Sequence, residues 1–260
     1  MARVDGQLAG LLVGKVAIVT GAGQGVGRGI AHALAKEGAA VAVGGRTLTK
    51  VERTAAEIIE AGGRALAAGC DVADQGQVEA LVAAAVEVYG TVDILVNNAQ
   101  TVVPPKPLGE TTPEDLAVCY SSGTLGTFHA MRACFPHLSA HGGRIINLAS
   151  STGVEGDPGF ASYVMAKEAI RGLTKVAARE WGQYGITVNV ICPFGDSPAA
   201  TAFRDAAPKR FEAVLRKVPL GRMGDCEHDI GGAVVALAGP GMSYVTGATL
   251  MVDGGRCVLR

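Results

Sequence analysis

The sequence predicts an α/β protein, a doubly wound parallel sheet of about seven strands with helices on both faces. Three observations carry that expectation. Short β-branched apolar runs alternate with Ala-rich stretches of helical length along the 260 residues. The runs are apolar at consecutive positions rather than at every second one, as in strands buried on both faces, which are the parallel strands of helix-covered sheets. A glycine-rich turn directly after the first run then favours an open wound sheet over the closed barrel that alternation alone also allows.

The elements follow in order. KVAIVT at 15–20 reads as a buried strand, then a glycine turn and a helix through about Glu37. AAVAVGG at 39–45 is a second strand, and 48–61 a helix with Val51, Ala55, Ile58 and Ile59 on its inner face. RALAAGCDV at 64–72 is a weaker third strand, 74–89 a helix, and DILVNNA at 93–99 the fourth strand. A long helix starts near TTPEDL, with Pro113 in its first turn, and runs to about Leu138. GRIINLAS at 143–150 is the fifth strand, 160–182 a helix and ITVNVIC at 186–192 the sixth strand. A less regular stretch rich in Ala, Pro and Lys precedes a short helix at 226–238 and a last strand in ATLMVDGG. With no repeat or linker, residues 14–260 form one expected domain behind a short leader at 1–13.

Composition narrows the function. The apolar fraction is 48%, enough for a large core, while 37 glycines against 5% aromatics suit close packing of helices on a sheet. A net charge of −1 without a basic stripe argues against nucleic acid and anionic membranes as partners. The six cysteines form no C-x-x-C pair, so reduced thiols in a cytoplasmic protein are expected rather than disulfides or zinc. His137 and His141 have metal-compatible spacing but no third ligand, so no metal is expected.

TGAGQGVGRGIA at 20–31 is neither a Walker loop nor a strict G-x-G-x-x-G, since Val26 takes the final glycine slot. It fits T-G-x-x-x-G-x-G, with Gly21, Gly25 and Gly27 exposing backbone to a pyrophosphate at a helix N-terminus. Farther on, Tyr163 and Lys167 stand at i and i+4 on one helix face. By itself that spacing describes an ordinary helix surface more often than an acid/base pair.

Taken in order, these motifs resemble the short-chain dehydrogenase/reductase family in its single-domain branch, from about Lys15 to Gly255. They are TGAGQGVG at 20–27, Asp71, NNA at 97–99, Ser150, Tyr163 with Lys167, GRM at 221–223 and TGATLMVDGG at 246–255. The resemblance implies a Rossmann fold and hydride transfer between NAD(P) and a secondary alcohol/ketone pair. It makes Tyr163 the general acid/base, with its pKa lowered by the Lys167 ammonium and the oxidised nicotinamide. Lys167 would also bind the nicotinamide ribose, and Ser150 would hold the substrate oxygen; Ser151 and Thr152 are its neighbouring alternatives. Thr20, Gly21, Gln24, Gly25, Val26 and Gly27 would hold the pyrophosphate, Asp71 and Val72 the adenine, and Asn97 and Ala99 would line the cofactor channel. Pro193 and Ser197 would lie near the carboxamide. Gly45 stands where NAD-preferring relatives carry an acid, and Arg46, assisted by Lys50, suits a 2′-phosphate, so NADP(H) is expected over NAD(H). Gln100, Val154, Phe160 and Phe194 are expected to line the substrate pocket beneath a lid near 194–220. A homotetramer acting on a small molecule is also implied.

Three departures fall on the nicotinamide half. Gly123 replaces an asparagine that helps link the lysine to solvent, NNAG becomes NNAQ with Gln100, and Pro-Gly becomes Pro193–Phe194. Ser122 is an imperfect substitute for the asparagine, about 100° away around the helix. On this reading Gly123→Asn should raise turnover. The alternative is a cofactor-binding relative with little turnover.

Overall fold

The structure is a computed structural model that describes residues 3–4, 7–8 and 10–259. Of the expected leader at 1–13, residues 1–2, 5–6 and 9 lie outside the described residues; Arg3–Val4 and Gln7–Leu8 form a short antiparallel ladder. The main sheet has seven parallel strands: β1 (Val16–Thr20), β2 (Ala40–Gly45), β3 (Arg64–Gly69), β4 (Ile94–Asn97), β5 (Arg144–Leu148), β6 (Thr187–Pro193) and β7 (Thr249–Val252). Their spatial order is β3-β2-β1-β4-β5-β6-β7. The chain therefore winds outward from β1 in one direction, returns beside β1 at β4, and winds outward in the other. That reversal opens a crevice at the carboxyl ends of β1 and β4, where open α/β sheets bind ligands.

Strand periodicity explains the two helical layers. Ala17 and Val19 of β1 face a core shared with α1 (Gly25–Lys36) and α2 (Leu48–Glu60). Ile18, between them, faces the opposite core, filled by α3 (Gln75–Tyr89) and by the helices after β4 and β5. Both sides of the strand are buried, so Val16 to Val19 are apolar without a break. On α2 the inner stripe is Val51, Thr54, Ala55 and Ile58. Ile59, expected on that stripe, is instead 55% exposed, because one step of about 100° carries it outward.

The long helix after β4 is not continuous. It consists of α4 (Pro113–Cys119), a π-helical turn at Tyr120–Leu125, and α5 (Gly126–His141). Thr112 and Asp115 form a reciprocal capping box at its start. The π turn falls on Ser121, Ser122 and Gly123, which are weak helix formers, and such turns recur at functional sites. After β5 come α6 (Ser151–Glu155) and the long α7 (Ala161–Trp181). The irregular stretch at 194–220 carries two helices, α8 (Pro198–Ala206) and α9 (Pro208–Leu215), each opened by a proline. Phe203 and Phe211 join them edge to face at 5.9 Å. The helix at 226–238 starts as a π turn and continues as α10 (Gly232–Ala238).

Candidate active site

Beyond β1 the chain turns sharply through Gly21 (φ 65°) and Gly25 (φ 55°) into α1. A Cβ on Gly21 would lie 2.8 Å from Ala99 Cα, and one on Gly27 would overlap Asn98 Nδ2 and lie 2.5 Å from Gly21 O. Asn98 stitches the turn to the end of β4: its Nδ2 donates to Thr20 O (2.9 Å) and Gly21 O (3.0 Å), and its N–H donates to Thr20 Oγ1 (3.1 Å). No side chain caps α1, so its first-turn N–H groups face the crevice free to bind an anion. The crevice, about 340 Å³, is bordered by this turn, Arg46, Lys50, Asp71, Val72, Asn98, Ala99 and Ser197. Lys50 Nζ donates to Gln24 Oε1 at 2.6 Å, which holds two of these side chains at its rim.

A second cavity of about 340 Å³ continues from the first, with Val26, Asn98, Gln100, Ser197 and Ala199 bordering both. Ser150, Tyr163 and Lys167 converge on it, as do Pro193 and Phe194. Ser150 caps α6, its Oγ accepting from Thr152 N at 3.2 Å, so the first turn of α6 holds the hydroxyl. Lys167 is 3% exposed and donates to Leu148 O at 2.7 Å, with its Nζ 5.5 Å from the Tyr163 ring centre. Burial lowers the Lys167 pKa to about 8. Burial pushes Tyr163 up to about 12, against a hydrogen bond from Ser150 that pulls it down. The expected lowering of the phenol is thus not achieved by protein groups alone, because desolvation outweighs them.

The residues fit a dinucleotide. Backbone is bare where a pyrophosphate approaches, an uncapped helix end faces it, and the crevice leads into the cavity holding the polar triad. A family profile described as enoyl-(acyl carrier protein) reductase matches residues 21–256. A 12alpha-hydroxysteroid dehydrogenase of Clostridium sp. is 41% identical over 95% of this chain and 98% of its own length. The chain belongs to the short-chain dehydrogenase/reductase family. The L-2,3-butanediol dehydrogenase of Corynebacterium glutamicum is 36% identical over 93% of this chain and 98% of its own. The crystal structure of a dehydrogenase/reductase from Sinorhizobium meliloti superposes with a TM-score of 0.87 at 38% identity, covering 95% of this chain and 96% of that one. This short-chain dehydrogenase/reductase is an NAD(P)-dependent oxidoreductase acting on alcohol and carbonyl groups.

Several expected positions do something other than line the site. Thr20 is buried beneath the crevice, and its Oγ1 accepts from the N–H groups of Asn98 and Ala99, both at 3.1 Å. Asn97 points into the sheet, donating to Asn147 Oδ1 at 2.8 Å. Asn98, overlooked in the sequence, faces both cavities; alternation along an extended strand sends neighbours to opposite sides. Val154, on α6, and Phe160, just ahead of α7, do not border the second cavity. Val102, Phe203, Phe211 and Met223 do, brought there by the loop after β4, by the unforeseen α8 and α9, and by the segment after α9. Asp71 borders the crevice while its Oδ1 also accepts from Ala73 N at 3.1 Å, so it shapes its own turn as well.

Gly123 and Gln100 form one unit. A Cβ on Gly123 would overlap Gln100 Oε1 and lie 2.9 Å from its Cδ. Gln100 Nε2 donates to Thr101 O (2.8 Å) and Cys119 O (3.0 Å); two carbonyl acceptors there fix which end is the amide nitrogen. The side-chain space at position 123 is filled by a carboxamide reaching in from the loop after β4. Ser122 is committed elsewhere, accepting from Thr101 N (3.0 Å) and donating to Val118 O (2.8 Å), so it is no substitute for an asparagine.

Proposed function

We propose that this enzyme is an NADP(H)-preferring reductase or dehydrogenase for an apolar secondary alcohol/ketone pair, with Tyr163 as general acid/base. The observation that carries the reading is the convergence of Ser150, Tyr163 and Lys167 on a cavity continuous with the glycine-turn crevice. When bound, the nicotinamide cofactor supplies or accepts the hydride. The chain's own residues do the rest. Gly21, Gly25 and Gly27 with the α1 N-terminus hold the pyrophosphate, assisted by Gln24 and Val26. Asp71 and Val72 flank the adenine, Ala99 lies along the channel, and Pro193 and Ser197 border the nicotinamide end.

In the reductive direction Ser150 Oγ donates a hydrogen bond to the substrate carbonyl oxygen, and Tyr163 gives that oxygen its proton. A phenol held near 12 is protonated at neutral pH, which suits the acid role. In the oxidative direction a positive charge close by draws the phenol down and makes it the base. Lys167 supplies a partly neutralised ammonium beside that ring and a donor for the ribose.

The NADP(H) preference is supported by Arg46 and Lys50 at the crevice rim and by Gly45, which puts no acid there. The substrate class is supported by the Val102, Phe194, Phe203, Phe211 and Met223 lining, which offers apolar surface and no carboxylate. A hydroxysteroid, as in the name of the Clostridium relative, has that character. A homotetramer in the cytoplasm completes the proposal, supported by exposed Val118, Tyr120, Leu125 and Phe128 on the π-kinked helix and Met165 and Val176 on α7. Among the described residues no helix is long and apolar enough to cross a membrane. The deciding experiment follows loss of reduced-nicotinamide absorbance with NADPH and NADH over ketones graded from diketones to steroids, alongside Tyr163→Phe. Turnover on bulky apolar ketones that vanishes in the variant is expected. Undiminished turnover in Tyr163→Phe refutes the acid/base assignment.

A further inference from the structure

The turn after β7 delivers an arginine to the back of the catalytic serine. Asp253, 3% exposed, accepts from Gly255 N (3.1 Å) and Cys257 N (2.9 Å), while Gly254 and Gly255 take φ of 67° and 85°. This tight, self-capped turn aims Arg256 inward, leaving its side chain 11% exposed. Its guanidinium reaches both ends of α6: one arm donates to Ser151 Oγ (3.1 Å), the other to Glu155 Oε2 (3.1 Å) and Asp157 Oδ2 (3.4 Å). The same guanidinium lies 5.3 Å from the Phe194 ring centre, and Phe194 walls the substrate cavity. Ser151, 2% exposed, is bonded covalently to Ser150, whose Oγ caps this short helix and touches Tyr163. A helix of five residues has little stability of its own, so something else must hold it.

We propose that Arg256 is a positioning residue for the reaction, a clamp that fixes the Ser150 hydroxyl and the Phe194 wall relative to Tyr163. The inference rests on the Ser150–Tyr163 reading above. A planar fork is well shaped for this role. Two arms take three oxygen acceptors while the flat face covers an aromatic ring, which an ammonium cannot reproduce. Losing it leaves Ser150 free to move relative to Tyr163, and small misplacements of an aligned group are costly in rate.

The experiment compares wild type with Arg256→Ala and Arg256→Lys in the full chain. Hydrogen exchange on the cofactor-free proteins should speed up at 150–160 and around Phe194 in both variants, and remain unchanged at the 20–30 glycine turn. NADPH binding, read by fluorescence, should stay within about twofold, while kcat on the ketone found for wild type falls by about tenfold or more. Added guanidinium ion at millimolar concentration should restore part of the Arg256→Ala rate and none of a Tyr163→Phe rate. Unchanged exchange at 150–160 overturns the clamp, as does faster exchange with undiminished kcat. A tenfold loss that guanidinium leaves untouched, accompanied by weaker NADPH binding, also overturns it in favour of general destabilisation. If wild type turns over no ketone, the functional reading fails on that result, and exchange still decides whether the clamp exists.

Discussion

Replacing Gly123 by asparagine tests whether Gly123 and Gln100 are one unit. Any side chain at 123 meets the Gln100 carboxamide, with the new Cβ 2.9 Å from Cδ and 3.0 Å from Nε2. The glutamine must then swing away and abandon its bonds to Thr101 O and Cys119 O. Two lost hydrogen bonds cost about 2 kcal/mol, and repacking a filled site costs about 1–3 kcal/mol by the general range for overpacking. Removing a glycine from a helical segment returns about 0.5–1 kcal/mol. The net expectation is a loss of about 3 kcal/mol, or roughly 6 °C in Tm for a chain of this size. Gln100→Gly alone empties the space and also destabilises. The double variant Gln100→Gly/Gly123→Asn refills it from the other side and should be more stable than the sum of the single changes by about 1–2 kcal/mol. Urea unfolding of all four proteins reads the cycle. Additivity within about 0.5 kcal/mol would refute the coupling. The same geometry reverses the expectation that Gly123→Asn alone raises turnover: the displaced glutamine borders both cavities, so kcat should fall in the single variant and recover in the double.

Two further outcomes follow from the site's charges. Arg46→Ala should weaken NADPH binding by about tenfold, in keeping with loss of one exposed charge-assisted contact, and leave NADH nearly unchanged; equal losses in paired titrations count against a 2′-phosphate role for Arg46. Lys167 has a folded pKa near 8, below its ordinary value of 10.5, so between those values the unfolded chain binds more protons and stability rises with pH. Lys167→Met should therefore be more stable than wild type at pH 7, by up to about 3 kcal/mol, with the gap closing as pH approaches 10.5. Tyr163 acts in the opposite sense at higher pH, since its raised pKa makes the fold lose stability as pH climbs from 10 toward 12. A constant gap across pH 7–10.5 in chemical denaturation would contradict a buried, titrating Lys167.

The sheet was legible in the sequence for a physical reason. Strands such as Val16–Thr20, buried on both faces, carry unbroken apolar runs, here Val16 to Val19, and that pattern survives any detail of packing. The crevice was legible because Gly21 and Gly25 need positive φ and Gly27 needs close approach, demands that leave their mark on residue type. Side-chain direction at element ends was less legible. Asn97 and Asn98 are chemically identical neighbours, and only the pleat decides that Asn98 faces the crevice while Asn97 turns into the sheet. In the 194–220 stretch Pro198 and Pro208 were start signals for two helices, masked by the mixed polar and apolar residues around them.

Contacts between residues distant in sequence were the least legible, and they alter the meaning of Gly123 and Gln100. Read singly, a glycine at 123 and a glutamine at 100 are a lost polar group and an intruding one, which together suggest a decaying nicotinamide site. In three dimensions the carboxamide of Gln100 occupies the space that a side chain at 123 would fill, held by two hydrogen bonds. The two residues suit each other, since a side chain at 123 would clash with Gln100 and a glycine at 100 would leave a void. The paired fit stands beside a buried Lys167 that costs stability at neutral pH, and a perturbed group of that kind is a mark of sites built for chemistry. The proposed Arg256 clamp extends the reasoning, because a guanidinium that ties Ser151 to Asp157 and covers Phe194 braces the helix that Ser150 caps.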